Sequence, residues 1–401
     1  MMKERFWASF LLMLCAVSLA RHMPPGAAEA SPRPAGTVRV VFIGDIMAHA
    51  EQLEGARRGA SWDFSPQFRR VKPLFHDALA AGNLETVFAG ERKKFAGYPS
   101  FNTPDELASA VLGMGVSVVT LANNHILDRG VSGAKRTTEV LDEAGISWTG
   151  LAYGGVKPNE ALLVEYGGLR WAFVNFSYGS NTPFKSSASG DVSSEDVYLN
   201  IISDEAVKRG LESARALSPD MTAAFFHWGN EYQFVPTKRA REIASLCVEG
   251  GANIVIGTHP HVLQPIEVTS SDAGYALVAY SLGNFVSHQR AKPRERSVVL
   301  AVDVARDGER ARISRVSVAP TWVSSTGQRG HRLIEVVYAG SSDRFNHAGL
   351  NADSLRSSRI AGAAAIDFLG AAKSPDAEGF YTIWDESSPD ILPKSRRKTP
   401  E

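Results

Sequence analysis

His259 and His261 flank Pro260 in the stretch GTHPHVLQP, directly after the apolar run ANIVI. Imidazole is a common ligand for divalent metals, and a spacing of two turns both rings to one side if the chain stays extended. The same chemistry recurs where other apolar runs end. VRVVFIG leads into Asp45 and, four residues on, His49. GNLET supplies Asn83 and Glu85, and GVSVVTLA runs into NNHILD with Asn123, Asn124, His125 and Asp128. AAFFHWGNEY delivers His227 and Glu231, and YSLGNF ends on Asn284. Taken singly, each has an ordinary structural explanation. An Asp after a strand caps a turn, Asn-Asn is a turn dipeptide, and a lone His sits satisfied in a core. Six such ends together point to one shared site.

Carboxylate, Asn amide and neutral imidazole are the donor set of one or two divalent ions such as Mn, Fe or Zn. Such ions activate water and polarise a phosphoryl or acyl oxygen. Rival chemistries lack their residues. There is no Gly-x-Ser-x-Gly elbow, no cysteine in a catalytic setting, and no glycine-rich phosphate cradle after the first apolar run.

In open α/β sheets, ligands bind beyond the carboxyl ends of the strands, so the strands that end on these residues must lie side by side. VRVVFIG, GVSVVTLA, WAFVNFSY, MTAAFFHWG, ANIVIGTH and YALVAYSLGNF read as buried strands. Between them TPDELASAVLGMG, with Thr103 as N-cap, SGAKRTTEVLDEAG, DEAVKRGLESARALS and TKRAREIASLCVEGG read as helices. The alternation predicts an α/β domain with mostly parallel strands. After Phe285 the helices largely stop, and SVVLAVDV, RISRVSVAP and RLIEVVY predict antiparallel strands that close the fold.

MMKER followed by the apolar run Phe6 to Ala20 suits a signal peptide better than a membrane span, which needs about 20 apolar residues. The sequence therefore predicts a signal over 1–30, a Pro/Ala/Gly-rich linker over 31–36, one domain over 37–373 and a flexible tail over 374–401. The protein is expected to be exported, periplasmic or at the cell surface, and membrane-anchored if the first segment is not cut. Two cysteines, one of them in that segment, build no disulfide framework. Lys plus Arg and Asp plus Glu balance at 43 each, with no basic stripe, which argues against nucleic acid as a partner. A neutral protein with a Glu- and Asn-rich pocket would need its metals to attract an anionic substrate.

GDIM, GNLE, ANNHILDRG, HWGNEY, GTHPHVLQP and YSLGNF, in that order, resemble the bacterial CapA family of capsule-synthesis proteins, over about Val38 to Val286. That family is linked to poly-γ-glutamate capsules and is similar to the calcineurin-like metallophosphoesterases. The resemblance implies a four-layer α-β-β-α sandwich, with an irregular α/β barrel as the alternative. It implies metal ligands at Asp45, Glu85 (where metallophosphoesterases carry a bridging aspartate), Asn124, His227, His259 and His261. His125 takes the place of the general acid, and Asp128 would orient it. Glu231 and Asn284 would each be a further ligand or lie behind one, Glu231 behind His227. The pattern departs where metallophosphoesterases have Asp-x-His, because Met47 stands two after Asp45; His49 would take over that ligand. The implied function is synthesis or processing of an anionic capsule polymer by a metal-dependent hydrolase-type site, with membrane-bound synthase subunits as partners. The alternatives are a non-catalytic assembly component that binds polymer or synthase, and a general periplasmic phosphoesterase acting on phosphoesters.

Overall fold

The computed structural model describes residues 36–153, 158–183, 197–271, 274–308, 310–327, 333–342, 344–345 and 347–387. The expected signal segment and the linker up to residue 35 lie outside them. In chain order the main elements are β1 (Thr37–Ile46), α1 (Ala50–Ala56), β2 (Leu79–Leu84), α2 (Glu106–Met114), β3 (Val118–Thr120), α3 (Gly130–Ala144) and β4 (Ser147–Thr149). Then come β5 (Leu162–Tyr166), β6 (Leu169–Ser177), α4 (Asp204–Ala216), β7 (Met221–His227), α5 (Lys238–Glu249), β8 (Ile254–Thr258), β9 (Ile266–Ser271) and β10 (Gly274–Ala279). The chain closes with β11 (Asn284–Val286), β12 (Arg296–Asp307), β13 (Arg310–Thr326), β14 (Leu333–Tyr338), α6 (Ala352–Leu369) and β15 (Tyr381–Asp385).

Two sheets carry these strands. The first runs β14-β13-β12-β1-β2-β3-β4, with β11 beside β1 and β15 beside β13; the second runs β9-β10-β8-β7-β6-β5. β1 to β4 are mutually parallel, as are β6, β7, β8 and β10, while β12 to β15 pair antiparallel. Neither sheet closes on itself among the described residues, so the barrel alternative is set aside.

Period-two alternation shows how the sheets meet. Along β7, Met221, Ala223 and Phe225 join the core shared with the first sheet, whereas Ala224 and Phe226 join a second cluster with α4 and α5. β6 and β8 split the same way, and the rings of Phe42 and Phe225 meet between the sheets at 5.7 Å. Helices α2 and α3 add Leu107, Val111 and Leu141 to the main core, and α6 lies on β12 and β13. The layers are helix, sheet, sheet, helix.

Three details differ from the sequence reading. Thr103 does not cap α2: the helix starts after Asp105, and the Thr103 hydroxyl pairs with that of Thr86 at 2.6 Å. An 18-residue helix, α6, follows the antiparallel strands, capped by the Asn351 side chain on Ser354 N–H. Residues 374–387, expected as flexible tail, hold β15, whose Tyr381, Ile383 and Trp384 are buried. Arg39 in β1 anchors that return, pairing with both Asp303 and Glu378.

Candidate metal centre

The polar strand ends converge where the parallel strands of both sheets terminate. Register pairs Asp45 with Asn83 of β2 on one side and with Asn284 of β11 on the other. His227, two residues after Phe225, continues the inward face of β7, and Thr258 does the same after Ile256 on β8. Glycines make the approach possible. A Cβ on Gly44 would lie 1.8 Å from the Gly283 carbonyl oxygen, and one on Gly257 would lie 1.9 Å from that of Tyr280. Asp45, Asn83, Glu85, Asn124, His227, His259, His261 and Asn284 are all buried.

Hydrogen bonds orient the ligand atoms. Asn284 Nδ2 donates to Gln289 Oε1 at 3.2 Å and to the Arg294 carbonyl at 3.0 Å, so its Oδ1 faces His261 Nδ1 at 2.9 Å. Asp45 Oδ2 lies 3.1 Å from the same nitrogen. With two acceptors before it, Nδ1 is placed to donate, and Nε2 points toward Glu85 Oε1 at 3.9 Å. His227 rests its Nδ1 on Thr258 Oγ1 at 3.0 Å, placing Nε2 3.7 Å from Glu85 Oε1 and 2.8 Å from Asn124 Oδ1. Asn124 turns its amide nitrogen the other way, to Asn181 Oδ1 at 3.4 Å. Asn83, through Nδ2, donates to Asp45 Oδ1 at 2.8 Å.

Of the buried side-chain atoms without a hydrogen-bond partner, two lie at this centre: Glu85 Oε1 and His259 Nδ1. Leaving such atoms unpaired is costly, and a cation is the partner that suits both. The donors group as Asp45, Glu85 and His261; Glu85, His227 and His259; and Glu231, His259 and His261, the ligand atoms of each set lying within 4.8 Å of one another. Ligands on one transition-metal ion at about 2.0–2.2 Å are separated by at most about 4.4 Å. The 3.7 and 3.9 Å separations are therefore too long to be hydrogen bonds and short enough for a shared ion. The residues fit a divalent metal, and Glu85 belongs to two sets.

Electrostatics agree. Burial and the neighbouring Asp45 charge push the Glu85 carboxyl well above its ordinary range. Burial, reinforced by His259, holds His227 well below the ordinary imidazole value, and burial with His261 lowers His259 to about 4. Neutral imidazoles are the metal-binding form.

The backbone of the His-Pro-His turn is not extended. His259 has φ 92° and His261 φ 57°, left-handed values that cost on the order of 1–3 kcal/mol each outside glycine. Both rings still reach the centre, 5.8 Å apart, because the turn is tied down by His259 N–H to Asp45 Oδ2 at 3.3 Å and Tyr232 N–H to the Pro260 carbonyl at 2.8 Å.

His125 lies beside the donors. Its Nδ1 is 2.8 Å from Asp128 Oδ2, which also accepts the Phe101 N–H at 2.7 Å, and its Nε2 is 3.4 Å from Asn181 Nδ2. Of the two roles open to Glu231, the geometry brings it in as a further donor: it is exposed and groups with His259 and His261 rather than standing behind His227. His49 precedes α1, with Nδ1 accepting the His288 N–H at 3.2 Å and its ring edge-on to Phe101; it joins none of the donor sets, and Met47 is buried beside it.

Some groups at the site were not read from the sequence. Tyr178 and Asn181 follow β6, whose polar end SYGSN lies at the same edge, and Tyr178 packs against His259 at 4.6 Å and His227 at 6.1 Å. Tyr232 lies 6.0 Å from His261, and Tyr98 lies 6.5 Å from His125. Three loops thus each contribute a tyrosine against a site histidine.

A sequence profile described as bacterial capsule synthesis protein PGA_cap matches residues 39–289, which hold every donor above. The chain belongs to this family. It is 30% identical to the capsule biosynthesis protein CapA of Bacillus anthracis, over 62% of this chain and 60% of that protein. It is equally similar to the PGA biosynthesis protein CapA of Bacillus subtilis (strain 168), over 62% and 63%. A probable polyglutamine synthesis accessory protein of Mycobacterium tuberculosis is 24% identical over 46% of this chain and 50% of that protein. The chain thus spans about 60% of the length of its CapA relatives. Among solved structures, the calcineurin-like phosphoesterase YfkN of Bacillus subtilis overlaps 71% of this chain and 90% of its own, at 11% identity and TM-score 0.38. The sulfate thiohydrolase SoxB of Thermus thermophilus overlaps 86% and 63%, at 12% identity and TM-score 0.40. Overlaps this loose carry nothing about chemistry.

Proposed function

We propose that the protein is an exported, metal-dependent hydrolase acting in the synthesis or processing of an anionic capsule polymer, poly-γ-glutamate being the family expectation. The observation that carries this reading is the pair of partnerless buried atoms, Glu85 Oε1 and His259 Nδ1, inside converging donor sets and next to the His125–Asp128 pair. Asp45, Glu85, Asn124, His227, His259 and His261 would hold the metal. A bound divalent ion supplies Lewis acidity toward water and toward an oxygen of the scissile phosphoester or amide. Asp128 holds the Nδ1 side of His125, so Nε2 is the atom turned toward a leaving group, and Asn181 steadies that edge. Tyr178 and Phe101 shield His227 and His125 from water.

The test is His125→Ala measured against both γ-linked polyglutamate and bis(p-nitrophenyl) phosphate. Metal content should be unchanged and turnover should fall about 10²–10⁴-fold, the usual worth of a general acid. Full activity in the variant would remove His125 from the mechanism. The second reading, a non-catalytic assembly component binding polymer or synthase, draws on Met47 standing where a further ligand is expected, with His49 outside the donor sets. It requires that polymer export survive His125→Ala.

A further inference from the structure

The mouth of the centre carries an arginine whose charge nothing nearby consumes. Arg294 lies between β11 and β12, and its carbonyl accepts the Asn284 Nδ2 hydrogen bond that orients His261. Its guanidinium carbon is 3.3 Å from the centroid of the Tyr232 ring. That ring in turn is 6.0 Å from the His261 ring, so the cation stands one ring away from a candidate ligand. Among the described residues the guanidinium makes no hydrogen bond and no ion pair. Two other arginines are occupied: Arg129 donates to the carbonyls of Ser100 and Phe101, and Arg290 to that of Val323.

Stacking a guanidinium on an aromatic face uses its π surface and leaves the N–H fork directed outward. That fork matches a carboxylate or phosphate in two parallel hydrogen bonds. Such a cation offsets the carboxylates around it: Asp45 and the exposed Glu231 would repel an anionic chain, and the sequence alone offered only the metal to attract one. Tyr232 is held in place by its N–H bond to the Pro260 carbonyl, so the shelf under Arg294 is tied to the turn that presents His259 and His261.

We infer that Arg294, stacked on Tyr232, is the anion-recognising residue of this centre, taking a carboxylate or phosphate of the substrate next to the bond that lies over His261. The inference rests on the proposed hydrolase reading and specifies its substrate: a chain with an acidic group adjacent to the bond attacked. Residue 294 lies on the β11–β12 connection, beyond the stretch matched by the family profile.

The test is calorimetric titration of the full native chain, Arg294→Gln and Arg294→Lys with γ-linked hexaglutamate and, separately, with inorganic phosphate. Each titration is run with Mn²⁺ and again in EDTA, where no metal can hold the anion. At least one of the two anions should bind native protein in EDTA and bind Arg294→Gln at least about ten-fold more weakly, since a hydrogen bond to a charged group is worth a decade or more. Arg294→Lys should fall between them, because a point charge replaces the fork. Loss with hexaglutamate assigns a carboxylate; loss with phosphate alone assigns a phosphate. Equal affinity of native and Gln proteins for both anions, or no binding of either to native protein in EDTA, overturns the inference. Mn content of the same samples separates the two readings. A native chain that binds no metal overturns the hydrolase and leaves the EDTA titration to decide on Arg294.

Discussion

Glu85 is where the two inner donor sets meet, and without a metal its burial is costly. Its carboxyl is fully buried, one oxygen has no partner, and burial beside Asp45 keeps its proton on well above the ordinary value of 4.5. The unfolded chain releases that proton earlier, so the contribution of Glu85 to stability falls as pH rises past 4.5. Glu85→Gln should therefore stabilise the EDTA-treated protein at neutral pH, on the order of 1–3 kcal/mol, while its metal content drops. Urea midpoints and metal analysis on the same samples check both halves. His259 titrates with the opposite sign. The unfolded chain takes up a proton near 6.5, the folded one only at about 4, so stability is full above 6.5 and falls as pH drops from 6.5 to 4. That difference is worth about 3 kcal/mol. His259→Gln should flatten the urea midpoint across that window relative to native protein. The sequence showed these side chains because carboxylates, amides and imidazoles recur at apolar run ends. It did not show how the His-Pro-His turn works, since left-handed φ at His259 and His261 is imposed by Asp45 and Tyr232, both distant in the chain. Which of its two roles Glu231 takes was closed to the sequence for the same reason: the backbone turns after β7, and Tyr232 there has φ 64°.

At the level of elements, the apolar runs of the parallel strands and the helices α4 and α5 were legible; the structure adds Ser203 and Thr237 as their side-chain caps. The last part of the chain was not. α6 is rich in Ala and Ser and has little apolar periodicity, because it packs closely rather than through large side chains. A Cβ on Gly362 would fall 1.9 Å from the Ala339 carbonyl oxygen. β15 sits in a Pro-, Ser- and charge-rich context that reads as tail, yet it completes the first sheet beside β13. Trp384→Ala should consequently cost about 3–5 kcal/mol, as expected for a buried tryptophan and not for a frayed terminus. A urea midpoint indistinguishable from native would mean that β15 does not hold the sheet. Met47 belongs to this scale too, because β1 delivers its side chain into the core and leaves the neighbouring loop, with His49, pointed at Phe101 instead of the donors.

For the whole molecule, the arrangement of two open sheets does the decisive work. The first sheet brings Asp45, Glu85, Asn124 and Asn284 to an edge, the second brings His227, His259 and His261 to the facing edge, and neither sheet alone holds a full ligand set. Packing of the sheets and completion of the centre are thus one event, so metal binding should raise the melting temperature of the whole domain. Membership in the capsule synthesis family fits a pocket of this kind but does not fix its substrate, since the chain spans only about 60% of its CapA relatives. The measurement that bears most directly on the account is elemental analysis of the purified chain, native against the double variant His259→Ala, His261→Ala. Near-stoichiometric Mn, Fe or Zn in the native protein, lost in the variant, is the expected result. A native chain that holds no divalent metal even after reconstitution would contradict it.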